Sequence, residues 1–140
     1  MVRNKLVRFS ISLPEDLIHK FDDLIRRKQY SNRSEAVRDL IRRELIAEQI
    51  EKDQSVLGVL HLLYDHHKHD LSDKLADIQH HAYEMIISTT HVHVDHDNCL
   101  EVVLLKGQAS RIRELSDKMI ACAGVKSGKL YLTSQGKGLN

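Results

Sequence analysis

Strict alternation over Thr89 to Asp95, and again over Cys99 to Leu105, brackets a polar Asp-His-Asp-Asn cluster at 95–98. Apolar and polar residues alternating at period two mark strands, and a short polar cluster between two such runs marks a tight turn, so this stretch is read as a β-hairpin. Successive side chains on a strand point to opposite faces. Val92, Val94, Leu100, Val102 and Leu104 are therefore expected on one face, against a core, with His91, His93, Cys99 and Glu101 on the other. Two imidazoles two residues apart and a thiolate across the turn can converge on one ion. Such a set is borderline soft and suits tetrahedral zinc or planar nickel or copper, so the donors alone leave the metal open.

At 140 residues the chain is long enough for one ordinary domain or two small ones. Aromatic residues are scarce and tryptophan is absent, so the core must be mostly aliphatic. The net charge of +1 conceals an asymmetry: residues 1–50 carry 11 Lys/Arg against 8 Asp/Glu, and the remainder carry 10 against 12. A basic first third permits a nucleic-acid partner. Nine of the ten histidines follow residue 60, which puts the metal chemistry in the second part. No apolar run approaches the roughly 18 residues of a membrane span, and no secretory pattern opens the sequence, so a soluble, cytoplasmic protein without a membrane partner is expected. Cys99 and Cys122 show no CxxC pairing, which fits a reducing compartment. Cys122, in the apolar stretch Met119 to Ala123, is expected to be a buried small hydrophobe.

Residues 1–7 are read as a short mobile arm. From Arg8 the chain alternates, with Arg8, Ser10 and Ser12 on one side and Phe9, Ile11 and Leu13 on the other. A lone strand is unstable, so two chains are expected to pair their copies antiparallel. Pro14, Glu15 and Asp16 open a helix with the stripe Leu17, Phe21, Leu24 and Ile25. Gln29-Tyr30-Ser31 breaks it, and Asn32 three residues before Glu35 is a capping-box arrangement for a second helix carrying Val37, Leu40, Ile41 and Leu45. Strand, helix, helix resembles the ribbon-helix-helix class of DNA-binding domains, whose dimeric ribbon enters the major groove. Arg8, Ser10 and Ser12 would then read base edges, and the start of the second helix, with Asn32 and Arg33, would face a backbone phosphate.

Glu48 to Gln54 is a charged connector expected to continue the second helix before loosening. Beyond it come a strand at Val56 to Tyr64, apolar enough to be covered on both faces, and a helix from Asp70 or Ser72 to about Ile87. The hairpin follows, then a helix over Ala109 to Ala123 stopped by Gly124, and a strand at Lys129 to Thr133. The order βαββαβ is the ferredoxin-like unit, whose helices pack on one sheet face. With the Val92, Val94 and Val102 face assigned to those helices, the metal face is expected to be bare. His80 and His81, on the first helix of the unit, would lie across the sheet from the donors, so a helical histidine completing the site should come from another subunit. Val103 and Leu105 would then be interface. The loop histidines His66, His67 and His69 are read as a solvated turn, with a weak secondary metal site as the lesser reading.

The tracts Asn32-Arg33-Ser34-Glu35-Ala36, Gln79-His80-His81, His91-Val92-His93, Cys99-Leu100-Glu101 and Lys106-Gly107 closely resemble the nickel-responsive transcriptional repressors of the NikR family, from about Arg8 to the C-terminus. The resemblance implies an α+β chain: a ribbon-helix-helix DNA-binding domain with a short arm at 1–50, then a ferredoxin-like, ACT-type domain at 51–140 for metal binding and tetramerisation. It implies one square-planar Ni(II) per chain, held by His91, His93 and Cys99 of one chain and His80 of another, with Glu101 hydrogen-bonding behind the ligands. It further implies base reading by Arg8, Ser10 and Ser12 and a further cation at Glu35 and Asp39. Ser10 and Ser12 stand where threonines are associated with better-known members, and Ala82 and Tyr83 shorten the histidine run after His80. The expected protein is no enzyme. It is a homotetrameric repressor that binds a palindromic double-stranded DNA operator when nickel is bound and controls nickel uptake, with a copper- or zinc-responsive regulator of the same architecture as the alternative.

Overall fold

The structure, a computed structural model, describes residues 4–140, so the first three residues of the expected arm lie outside the described residues. Its elements are α1 (Glu15–Arg27), α2 (Arg33–Glu51), β1 (Ser55–Asp65), α3 (His69–His81), β2 (Ile86–His93), β3 (Asn98–Gln108), α4 (Ala109–Ile120) and β4 (Val125–Thr133). They fall into two compact units: the chain up to Leu45 together with Gly136–Asn140, and Ile46–Gln135. No helix among the described residues is long and apolar enough to cross a membrane.

In the first unit, α1 follows Pro14, whose carbonyl accepts the Leu17 and Ile18 amides. The helix ends where Gln29 takes a positive φ of 61°. Asn32 then caps α2, its Oδ1 accepting the Glu35 amide at 2.9 Å. The reciprocal half of the expected capping box is not made, because the Glu35 carboxylate is taken by Arg38 at 2.7 Å. Arg33 joins the helices by a two-pronged grip on Asp22, both contacts at 2.8 Å. The last residues return to this unit, where the Leu139 carbonyl accepts from Arg42 Nε at 2.8 Å. The expected strand from Arg8 to Leu13 is not formed within one chain: residues 4–14 are neither helix nor strand, and Phe9, Ile11 and Leu13 are exposed. A strand needs a hydrogen-bonded neighbour, and the single chain offers none at this position.

The second unit is a four-stranded antiparallel sheet in the order β2-β3-β1-β4, with α3 and α4 as its crossovers. This is the ferredoxin-like βαββαβ arrangement. The first helix of the unit is shorter than expected, ending at His81 because β2 already begins at Ile86. Pairing of β1 with β3 sets Tyr64 opposite Cys99, Leu62 opposite Glu101, Leu60 opposite Val103 and Gly58 opposite Leu105. All eight are buried, in one core with Leu71 and Leu75 of α3 and Ile112, Leu115 and Met119 of α4.

The helices therefore cover the face opposite to the one expected. Cys99, Glu101, Val103 and Leu105 lie beneath them, whereas Val92, Val94 and Leu104 are exposed. Period two establishes which residues share a face but not which face is covered. On the covered face the backbone comes close to α4: a Cβ at Gly58 would stand 2.8 Å from Ile112 Cγ2 and one at Gly128 2.7 Å from Ile120 Cγ1, so the two missing side chains leave room for the helix. Val103 and Leu105, expected at a subunit interface, are fully buried in the chain's own core. Likewise β1 is covered on its even-numbered side only, with Val59 on the other side exposed.

The connector contributes more than length. Asp53, at a positive φ of 53°, accepts the Ser110 amide and the Ser110 hydroxyl, both at 2.7 Å, and so caps α4 across the fold. These two bonds to Ser110, the backbone one first, hold its carboxyl below the ordinary range. A depressed folded-state value means that the stabilisation is complete above the unfolded pKa of about 3.9 and is lost as pH falls through the folded value. Asp53→Asn keeps an acceptor and tolerates the left-handed backbone but removes the charge. The gap in urea midpoint between the wild type and this variant is expected to stay constant from about pH 7 to pH 5 and to close below about pH 4. Gly58→Ala should cost about 1–3 kcal/mol in chemical denaturation, because the β-branched Ile112 has little rotamer freedom with which to yield.

Candidate metal centre

The hairpin turn is built by Asp95, whose Oδ1 accepts the amides of Asp97 and Asn98 at 2.9 and 2.8 Å. This pins the β2–β3 register so that His91 stands opposite Glu101 and His93 opposite Cys99. The Cys99 sulfur lies 3.7 Å from His91 Nδ1, and His91 Nε2 lies 3.7 Å from the Glu101 carboxylate. Sulfur and imidazole thus meet at the sheet end, the sulfur side buried and the His91 side half open to solvent.

Glu101 is 2 % exposed, and a buried carboxylate must be hydrogen-bonded to be tolerated. Tyr64 OH donates to Oε2 at 2.7 Å and Gln79 Nε2 to Oε1 at 2.6 Å, while Gln79 Oε1 accepts from the Thr89 hydroxyl at 2.7 Å. Burial first, then the Glu101 carboxylate, push the Tyr64 phenol well above its ordinary range, so it stays protonated and donates. The same hydroxyl lies 3.4 Å from His91 Nδ1. Residues of β1, α3, β2 and β3 thereby hold one carboxylate behind one imidazole. The parts played by Tyr64, Gln79 and Thr89 escaped the sequence reading: in sequence Tyr64 is only the last apolar position of a strand, and nothing there aligns it with Cys99.

The other expected residues are placed unequally. His93 is exposed, its ring meeting His66 edge-on at 5.0 Å between centroids. His80 lines a cavity of about 440 Å³ with Gln79, Thr89, His91 and Glu101 of the same chain. The expectation that α3 lies across the sheet from the donors is therefore overturned, since donors and helices share a face. His81 turns to its own helix, Nδ1 lying 2.8 Å from the Asp77 carbonyl oxygen. Among the described residues, the groups of three donors whose ligand atoms lie within 4.8 Å of one another are Asp65, His66, His67 and His67, His96, Asp97. Within one chain the hairpin thus assembles a sulfur–imidazole pair backed by a carboxylate. That donor chemistry fits a nickel, copper or zinc ion.

Of the residues expected to face DNA, Arg8, Ser10 and Ser12 are exposed. Asn32 and Arg33 are engaged at the start of α2 as described. Asp39 accepts the Tyr30 hydroxyl at 2.7 Å and lies 3.8 Å from Arg42, and Glu35 is paired with Arg38.

Comparison with known proteins covers both units. Residues 57–133 match the family model of the NikR C-terminal nickel-binding domain, and residues 7–48 match that of ribbon-helix-helix proteins of the copG family. A Desulfovibrio desulfuricans protein is 54% identical over 96% of this chain and 97% of its own length. A Desulfotalea psychrophila protein is 50% identical over 96% and 99%. Both are assigned by name as nickel-responsive regulators. Among solved structures, an uncharacterized Thermotoga maritima protein shares the fold at a TM-score of 0.51 and 18% identity, covering 56% of this chain and 98% of that one. The chain belongs to the NikR family of nickel-responsive transcriptional regulators, proteins that couple a ribbon-helix-helix module to a nickel-binding domain and are not enzymes.

Proposed function

We propose that this protein is a nickel-dependent repressor: a homotetramer, arranged as a dimer of dimers, that binds a palindromic DNA operator when each chain carries one Ni(II), and so controls nickel uptake. Residues 1–50 are assigned to DNA reading and 51–140 to metal binding and assembly. The observation that carries the reading is the contact of Cys99 with His91, backed by the buried Glu101, in a chain that matches a nickel-binding family model over the same residues.

The ligand set proposed is His91, His93 and Cys99, with His80 of a neighbouring copy as the fourth. Nickel, when bound, would supply a rigid cross-link between copies. The chain's own residues prepare for it. Tyr64 and Gln79 hold the Glu101 carboxylate, and Glu101 orients the His91 ring, as carboxylates behind metal-ligating histidines commonly do. His93 is free to leave His66, since its ring is exposed. Cys99, buried against His91, is shielded from solvent until metal arrives.

At the other end, the exposed apolar side chains Phe9, Ile11 and Leu13 support pairing of the ribbon with a second copy, which would cover them and turn Arg8, Ser10 and Ser12 toward the major groove. Asn32 and Arg33 would flank a phosphate at the start of α2. Glu35 and Asp39 remain the carboxylates proposed for a further cation, released from Arg38 and Tyr30.

Titration of the metal-free protein with nickel should give a thiolate-to-nickel absorption band of planar character, saturating at one ion per chain and absent from Cys99→Ala. A tetrahedral site filled by zinc or copper in preference would move the assignment to another metal. Nickel must also raise operator affinity, and operator DNA must raise nickel affinity by the same factor; equal DNA binding with and without nickel would remove the regulatory claim. Arg8→Ala should weaken operator binding by about 1–3 kcal/mol, with discrimination lost at one base pair. A uniform loss over all sequences would make Arg8 a phosphate contact instead.

A further inference from the structure

The chain passes between the two units twice. It leaves the first unit after Leu45, within α2, and returns to it at Gly136, once β4 is complete. Residues 136–140 therefore belong to the ribbon-helix-helix unit although they follow the last strand of the nickel-binding domain. The return is held at three points. Gln135 Nε2 donates to Ser55 Oγ at 2.8 Å, which fixes the last residue of the second unit beside the first residue of β1. Beyond it Gly136 and Gly138 take positive φ values of 90° and 76°, bends that residues with a side chain rarely adopt. A Cβ at either glycine would meet nothing within 4 Å, so these glycines serve the path of the backbone rather than packing. Leu139, half-buried between exposed neighbours, then accepts from Arg42 Nε at 2.8 Å through its carbonyl.

This attachment is weak by construction. Ordering five residues, two of them glycines, costs backbone entropy. A hydrogen bond from a guanidinium to a carbonyl, with one half-buried leucine, contributes a free energy of similar size in the other direction. A segment so balanced exchanges between docked and free states, and a modest change at either end shifts the balance.

We propose that residues 136–140 are a reversible strap that transmits the state of the nickel-binding domain to the ribbon-helix-helix unit. A single link leaves two bodies a wide set of arrangements, whereas a second link closes a loop of chain and removes many of them. When docked, the strap narrows the arrangements open to the first unit. Whatever steadies the end of β4 raises the effective concentration of Leu139 at Arg42 and so favours docking. By linkage, steadying α2 acts back on the end of β4 to the same extent. The purpose of the strap rests on the regulator reading above. Its parts, Arg42, Leu139 and the two glycines, are neither nickel ligands nor base readers in that reading.

The full chain carrying both Gly136→Ala and Gly138→Ala tests this by hydrogen exchange read by mass spectrometry. These substitutions meet no neighbour, so they oppose the docked path through backbone conformation alone. A chain ending at Gln135 removes the strap independently. In metal-free protein, amides 38–46 of α2 are expected to exchange several-fold faster in both variants than in the wild type, with β1 and β3 unchanged. Added nickel should slow exchange in the wild type both in the hairpin, 91–101, and in the first unit; the variants should keep the hairpin effect and lose the other. Unchanged exchange over 38–46 in both variants would overturn the strap. So would an effect of nickel on the first unit as large in the variants as in the wild type. If nickel slows exchange nowhere in the wild type, the hairpin reading fails, and the strap stands or falls on the metal-free comparison.

Discussion

Glu101 is the residue on which the metal-facing end of this fold depends. An ionised carboxylate taken out of water is costly unless hydrogen-bonded donors replace its hydration. Here those donors come from β1 through Tyr64 and from α3 through Gln79, with Thr89 of β2 steadying Gln79 in turn. One buried carboxyl group therefore imposes mutual positions on four elements. It also makes the site directional, because the carboxylate lies 3.7 Å from one nitrogen of His91 while Cys99 lies 3.7 Å from the other. An imidazole held between a carboxylate and a sulfur has little freedom to present a different edge.

The same constraint explains why polar donors sit on the helix-covered face of the sheet. At the Gly58 end that face is filled by Val103, Leu105 and Ile112, and at the other end by Cys99, Glu101 and Tyr64. One continuous face thus changes from aliphatic packing to a polar, hydrogen-bonded cluster along the strands. Rigidity at the aliphatic end supports precision at the polar end, since a close-packed core transmits rather than absorbs displacement. The opposite face, with Val59, Val92, Leu104 and Tyr131 exposed, carries no such network. Among the described residues of the first unit few are buried, Ile25 and Ala36 among them.

Much of this was legible in the sequence for identifiable reasons. Period-two runs and the helix-opening signals at Pro14 and Asn32 are local properties of the chain, so the helices and the βαββαβ order could be read directly, as could the placing of His91, His93 and Cys99 on one side of the hairpin; the run at 8–13 forms no strand within one chain. The covered face could not. Val92, Val94 and Val102 look as suitable for a core as Val103 and Leu105, and the covered face is the one where Gly58 and Gly128 leave room for α4, a relation between residues far apart in sequence. The error had a consequence: placing α3 on the wrong side of the sheet removed His80 from the neighbourhood of His91, where the structure puts it. Asp53 was passed over as part of a charged connector because a helix cap supplied from 57 residues away leaves no local signature.

By itself the sequence determined the inventory: a basic helical module after an alternating segment, a βαββαβ unit, and a hairpin bearing two imidazoles, a thiol and a carboxylate on one side. These follow from periodicity and composition, which act within a few residues. Tertiary structure alone decided which side of the sheet is dry and that Tyr64 and Gln79 secure Glu101. Those outcomes depend on strand register and on the volume available beneath two helices, quantities that exist only once distant segments are packed.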